Sequence, residues 1–175
     1  EVEAESAQTG GTEGQTLWYS LSTKFDPTFS SGYNVWPQWG ITNQWHPNGC
    51  CSPQVSFAVT SGDTWSLVIN PQSAPGVYDG GARSVWTVPM DRGTWHDIKM
   101  QVHYSTSATG GWIQLWHNGV RQTFTDGSDT YYCATIIPTT TSVYYKEGLY
   151  RAAKSSTDIV YHAGFRVATT EAGLG

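Results

Sequence analysis

The chain has 175 residues, with 13% charged and 14% aromatic side chains, including nine Trp and ten Tyr. That length is enough to bury a sizeable core as one domain spanning 1–175, and no apolar run approaches the ~20 residues of a membrane span. The net charge of −5, from 14 acidic against 9 basic residues, argues against nucleic acid or a strongly sulfated polymer as partner.

Low charge, many aromatics and frequent Gly, Thr and Ser predict an all-β protein. The chain opens on Glu1-Val2-Glu3 with no visible signal peptide, as a mature or trimmed secreted form would. A short first strand fits residues 1–6. A second fits 17–25, where Leu17, Tyr19, Leu21 and Phe25 share a face and Asp26-Pro27 ends the run. Pro37 should break the next stretch, leaving a strand near 39–46 closed by the turn Pro47-Asn48-Gly49. Short strands follow at 55–60 and 65–69. Residues 70–83 read as a loop, 85–88 as a strand, and Asp91-Arg92-Gly93 as a turn. Ile98, Met100, Val102 and Tyr104 alternate along the next strand. Trp112–His117 and Val120–Phe124 flank Asn118-Gly119, the strongest short-range hairpin signal because type I′ turns need positive φ at both central residues. Residues 125–142 read as a polar loop, and 143–151 and 159–168 as the last strands. About ten short strands without helical periodicity imply a sandwich.

Three cysteines, Cys50, Cys51 and Cys133, leave at least one unpaired within the chain. The expectation is one long-range disulfide from Cys50 or Cys51 to Cys133, formed in an oxidising compartment. A vicinal Cys50–Cys51 bond is the alternative. Neither spacing resembles a zinc site.

Two segments carry chemistry. In a strand, side chains two apart point to one face. Gln44 and His46 therefore stand together, with Trp45 turned into the core. By the same rule Tyr144, Lys146, Gly148 and Tyr150 share a face. A surface of Gln, His, Lys and Tyr is unusual for packing, and it suits binding and proton transfer on an anionic sugar. The remaining histidines, His96, His103, His117 and His162, are expected at the surface or in turns, without a role.

Gln44-Trp45-His46, Gly93-Thr94-Trp95-His96-Asp97, the segment Gly111–Gly119 and Tyr145-Lys146-Glu147-Gly148-Leu149-Tyr150-Arg151 together resemble, in that order, the polysaccharide lyases related to heparin lyase I and glucuronan lyase. The resemblance covers about residues 17–168. It implies a concanavalin-like β-jelly roll whose concave sheet binds an anionic polysaccharide, and β-elimination at a uronic acid. It matches His46 and Tyr150 to the catalytic pair, Gln44 to the residue touching the substrate carboxylate, and Lys146 to a groove lysine. In some relatives the Tyr serves as both base and acid. Alginate lyases of this fold also carry an Arg in an early strand. Here no Arg precedes residue 83, so that Arg lies upstream or its task falls to Gln44 with neighbours such as Asn43 or Arg151. Tyr144 and Gln114 are further candidates for the groove, and Trp36, Trp39 and Trp116 for stacking on sugar rings.

The resemblance implies no cofactor, although some relatives bind a structural Ca²⁺, and no compact acidic cluster marks such a site here. A secreted monomer acting on a polysaccharide, with no nucleic-acid or membrane partner, is the expectation. The competing reading is a non-catalytic carbohydrate-binding module or lectin on the same fold. A glycoside hydrolase would need two carboxylates facing the groove, and no strand offers them.

Overall fold

A computed structural model describes residues 1–3, 6–34 and 38–175, with Ser6 by its backbone alone. The expected break at Pro37 and the stacking candidate Trp36 lie outside the described residues. In chain order come β1 (Val2–Glu3), a helical turn α1 (Ser6–Thr9), β2 (Thr16–Phe25), β3 (Gly40–Pro47), β4 (Val55–Thr60) and β5 (Thr64–Ile69). They are followed by β6 (Gln72–Ala74), β7 (Val77–Tyr78), β8 (Arg83–Pro89), β9 (Trp95–His103), β10 (Trp112–His117) and β11 (Val120–Arg121). Last come β12 (Tyr131–Tyr132), β13 (Val143–Arg151), β14 (Val160–Ala168) and a 3-10 turn over Glu171–Leu174.

Two antiparallel sheets hold most of these strands. The first runs β1-β13-β3-β4-β5-β8 and the second β11-β10-β9-β2-β14, with β12 beside β10. They stack face to face as a β-jelly roll. Strict alternation sets which residues enter the space between them. In β2 the side chains of Leu17, Tyr19, Leu21, Thr23 and Phe25 are buried, and Trp18, Ser20, Ser22 and Lys24 between them are less so. Ile98, Met100, Val102, Ile113 and Leu115 supply the same inner face from β9 and β10, and Trp45, Phe57, Trp65, Leu67 and Tyr145 meet them from the first sheet. The 70–83 stretch contains a small hairpin, β6–β7, and the 125–142 loop contains β12. Both are too short to leave a periodic signal.

The cysteines differ from the long-range expectation. Cys50 and Cys51 are bonded to each other, and Cys133 is free and buried. Burial pushes its thiol up to about 12. Count and spacing do not reveal which thiols approach each other, and here the turn after β3 closes on itself.

One histidine expected at the surface is buried inside the sandwich and a second lies half-buried against it. His96 is 1% exposed, and its Nδ1 lies 3.1 Å from Nε2 of His117. Its parity with Ile98 and Met100 already put it on the inner face. Burial holds His96 below the ordinary histidine range, against the opposing pull of the Met90 backbone, Asp91 and Asp97. Burial and then His96 do the same for His117. The unfolded chain therefore takes up more protons than the folded one below about pH 6.5. Stability should be lost as the pH falls from there through the folded values, with His46 and His162, also held low by burial, adding to the slope. Thermal midpoints measured from about pH 8 to about pH 5 should fall toward acid, and more shallowly in His117→Asn. An identical slope in that variant would show that the pair does not titrate with folding.

Candidate active site

Residues of β3 and β13 meet across one ladder: Tyr144 faces His46, Lys146 faces Gln44, Glu147 faces Asn43, and Tyr150 faces Ile41. A bulge lies in β3 between Ile41 and Asn43 against β4, and another in β13 between Glu147 and Tyr150. Extra residues in a strand re-aim the side chains beyond them. Here Ile41 comes out on the same side as Gln44, His46, Lys146 and Tyr150, while Thr42, Asn43 and Glu147 stay inside. Gly148 permits the β13 bulge. Its φ is +141°, and a Cβ there would come 2.8 Å from Cα of Glu1.

The outward residues line a cleft of about 810 Å³. Gln44, His46, Lys146 and Tyr150 all border it, with Trp39 beside Tyr150 and with Ser56, Ala58 and Val68 on the floor. Small residues make the hollow: β4 alternates large inward Val55, Phe57 and Val59 with outward Ser56 and Ala58. The lining spans β13, β3, β4 and β5, with Glu1 just ahead of β1 at one side, a width of roughly 14 Å at ~4.8 Å per strand, room for more than one pyranose ring.

His46 Nδ1 lies 2.8 Å from the Pro47 carbonyl. A carbonyl only accepts, so Nδ1 carries the proton and the neutral ring keeps a lone pair on Nε2. Burial, and to a lesser degree the Lys146 ammonium, hold His46 below the ordinary range, opposed by the Pro47 carbonyl. Its ring packs against Tyr144, centroids 5.3 Å apart. Tyr150 is 49% exposed, its ring 4.4 Å from that of Trp39. A carboxylate already occupies the cleft: Gln44 Nε2 donates to Glu1 Oε1, and Lys146 Nζ lies 3.9 Å from the other Glu1 oxygen and 3.4 Å from Glu3. Burial works against the Lys146 charge, but Tyr144, Glu1 and Glu3 outweigh it and hold the ammonium above its usual value. The lining is not strongly basic, since Lys146 is offset by Glu1.

Four expected groove residues lie elsewhere. Asn43, 0% exposed, points inward, donates to the Tyr145 hydroxyl at 2.7 Å and accepts from Thr42 at 2.9 Å and Thr23 at 3.3 Å. Arg151 turns away from Tyr150, as strand parity requires. It sits 3.7 Å from the buried Asp158 carboxylate and donates to the Ser156 and Ala152 carbonyls. Gln114 and Trp116 belong to the second sheet, whose inner face is taken by Ile113 and Leu115. They stand on its outer surface, where Gln114 donates to Thr130 and Trp116 packs on Trp18, across the sandwich from the cleft. Tyr144 is on the cleft side but flanks His46 without bordering the hollow.

Residues the sequence did not single out include Glu1, Cys51, Asn70 and Tyr78. Tyr78 sits in a Pro- and Gly-rich stretch without periodicity, whereas the alternation of small and large residues in β4 was a readable sign of the floor. Among the described residues, no three His, Cys, Asp or Glu side chains gather as a metal site would need.

Since Asn43 is a core residue, Asn43→Ala should lower stability by about 1–3 kcal/mol by leaving buried hydroxyls without their partner. KM for any cleft ligand should stay as it was. A raised KM with an unchanged thermal midpoint would return Asn43 to the cleft.

A family model described as polysaccharide lyase matches residues 1–166. Among solved structures, the chain is similar to alginate lyase vAL-1 from Chlorella virus, at TM-score 0.56 and 11% identity, covering 89% of this chain and 71% of that one. It is also similar to the PL7 alginate lyase AlyA1 from Zobellia galactanivorans, at TM-score 0.51 and 16% identity, covering 91% and 64%. The catalytic domain of a family 131 glycoside hydrolase from Coprinopsis cinerea matches at TM-score 0.48 and 14% identity, covering 89% and 57%, too low to carry an argument. The chain thus spans between 57% and 71% of these solved chains. No match was found among curated proteins.

Proposed function

The chain belongs to the polysaccharide lyase family, and from that premise we propose that it cleaves a uronate-containing polymer, glucuronan-like or alginate, by β-elimination. The observation that carries this reading is a neutral imidazole with a free Nε2 in the same cleft as two donors that already hold a carboxylate. The C5 proton of a uronate is barely acidic while its carboxylate is charged. Gln44 and Lys146 take that carboxylate in place of Glu1 and stabilise the enolate-like charge that develops on it. His46 Nε2 removes the C5 proton. The C5–H electron pair becomes the C4–C5 double bond, and the C4–O bond breaks. Tyr150 gives its phenolic proton to the departing oxygen and regains one from solvent, to which it is half open, while His46 releases the C5 proton to solvent. Heparin is the least suited polyanion, given a lining with one lysine offset by an acid.

Glucuronan, alginate and heparin are each incubated with the protein while the ultraviolet absorbance of the new conjugated double bond is followed. Absorbance should rise on glucuronan or alginate, and Tyr150→Phe should lower kcat by about 10²–10⁴-fold. Binding without any rise would overturn the elimination in favour of a non-catalytic carbohydrate-binding module.

A further inference from the structure

The vicinal disulfide forms part of the cleft wall. Cys51 borders the hollow, as do Pro53, Tyr78 and Ala82. Strand register fixes which end this is. Trp45 pairs with Val55, Val55 with Ile69, and Ile69 with Arg83, so the turn after β3 and the hairpin after β5 both stand at the His46 end. Trp39 marks the other end, with Tyr150 between it and Gln44 along the β3–β13 ladder. The two wall segments are fastened together. The Ser52 hydroxyl is 3.0 Å from the Tyr78 hydroxyl, Gln72 donates to the Ser52 carbonyl at 3.0 Å, and Gly76 N–H donates back to Gln72. Tyr78 nevertheless remains 48% exposed, a large ring held by its hydroxyl beside an open cleft.

A bond between neighbouring cysteines closes a small ring whose outer atoms are sulfur and carbon, apolar and polarisable. Beside it lie the Pro53 ring and the Tyr78 ring, and none of the three carries a charge. Such a surface matches the C–H face of a pyranose, which aromatic and flat apolar groups bind by stacking and burial. It offers nothing specific to a carboxylate.

We propose that the Cys50–Cys51 ring, Pro53 and Tyr78 form a sugar subsite on the His46 side of the cleft, reading the apolar face of a pyranose whether or not that sugar is a uronate. This rests on the reading under Proposed function for its place in a polymer. The subsite contributes affinity for long substrates and takes no part in the bond cleavage.

The test uses size-graded oligosaccharides of whichever polymer is degraded, with Tyr78→Ala, Tyr78→Phe and the double variant Cys50→Ser/Cys51→Ser. Tyr78→Ala and the double variant should raise KM on long oligomers by about tenfold. They should keep kcat within about twofold and behave like the parent on the shortest cleaved oligomer. Tyr78→Phe, which keeps the ring but loses its tie to Ser52, should fall between the parent and Tyr78→Ala. If the serine variant fails to fold, the parent chain reduced with a mild thiol replaces it, and KM on long oligomers should rise and recover on reoxidation. Unchanged KM in Tyr78→Ala, or a fall in kcat at unchanged KM, would overturn the subsite. If the parent produces no unsaturated product from any polymer, the lyase reading fails separately. The subsite is then judged by titrating neutral and uronate oligosaccharides against Trp fluorescence. Weaker binding in Tyr78→Ala upholds it, and equal binding overturns it.

Discussion

Replacing His46 by Gln should lower kcat by about 10²–10⁴-fold, the usual worth of a general acid or base, with KM changed only a few-fold. The amide is near the imidazole in size and keeps a polar group toward Pro47, but it cannot accept a proton at neutral pH. Gln44 and Lys146, which hold the carboxylate, are untouched by the change, so binding should survive. The parent should also show an acid limb in its pH–rate profile. His46 acts as a base only when neutral, and burial keeps it neutral to a pH below the ordinary ~6.5. Activity should therefore persist at mildly acidic pH and be lost as the pH falls through the lowered value. That limb should disappear in the residual activity of His46→Gln. A variant that keeps full kcat would remove His46 from the chemistry.

Trp45→Ala should lower stability by about 3–5 kcal/mol, the range for truncating a large core aromatic. Trp45 is 1% exposed. Its ring meets Tyr19 and Tyr145, both at 5.3 Å between centroids and both edge-on, and Phe57 at 6.2 Å. Those three partners come from β2, β13 and β4, so the ring joins both sheets directly beneath the two groove residues that flank it. A register slip by one residue would send Trp45 to the cleft and Gln44 and His46 to the core. The large inward ring opposes that slip and so fixes the outward face of β3. Chemical or thermal unfolding gives the loss directly. A midpoint near that of the parent would mean that some other contact holds the register of β3.

Strand parity made much of the site legible. It separated Gln44 and His46 from Trp45 and put Lys146 and Tyr150 on one face. It also assigned Asn43 and Arg151 to the opposite side, and the suggestion that they assist a substrate carboxylate ran against that parity. The bulges in β3 and β13 were not legible, because an extra residue leaves no mark in the hydrophobic pattern, yet they bring Ile41 out to the cleft. Gln114 and Trp116 failed for another reason. Parity tells which residues share a face of a strand but not to which sheet the strand belongs, and β10 lies in the second one. The pairing of β3 with β13 joins residues about a hundred positions apart, and the order of the matched segments hinted at it where local pattern did not. Cysteine spacing could not choose between a long-range and a vicinal bond, since the choice depends on the path of the turn after β3.

The central claim is that the glycosidic bond is broken by elimination and not by water. The most direct test is to run the degradation of glucuronan and of alginate in water enriched in heavy oxygen and to weigh the products. Elimination consumes no water, so the product masses should sum to that of the substrate, one product of each cleavage should carry the new double bond, and no label should enter. Label at the new reducing ends, with each cleavage adding the mass of one water, would contradict the account and make the protein a hydrolase.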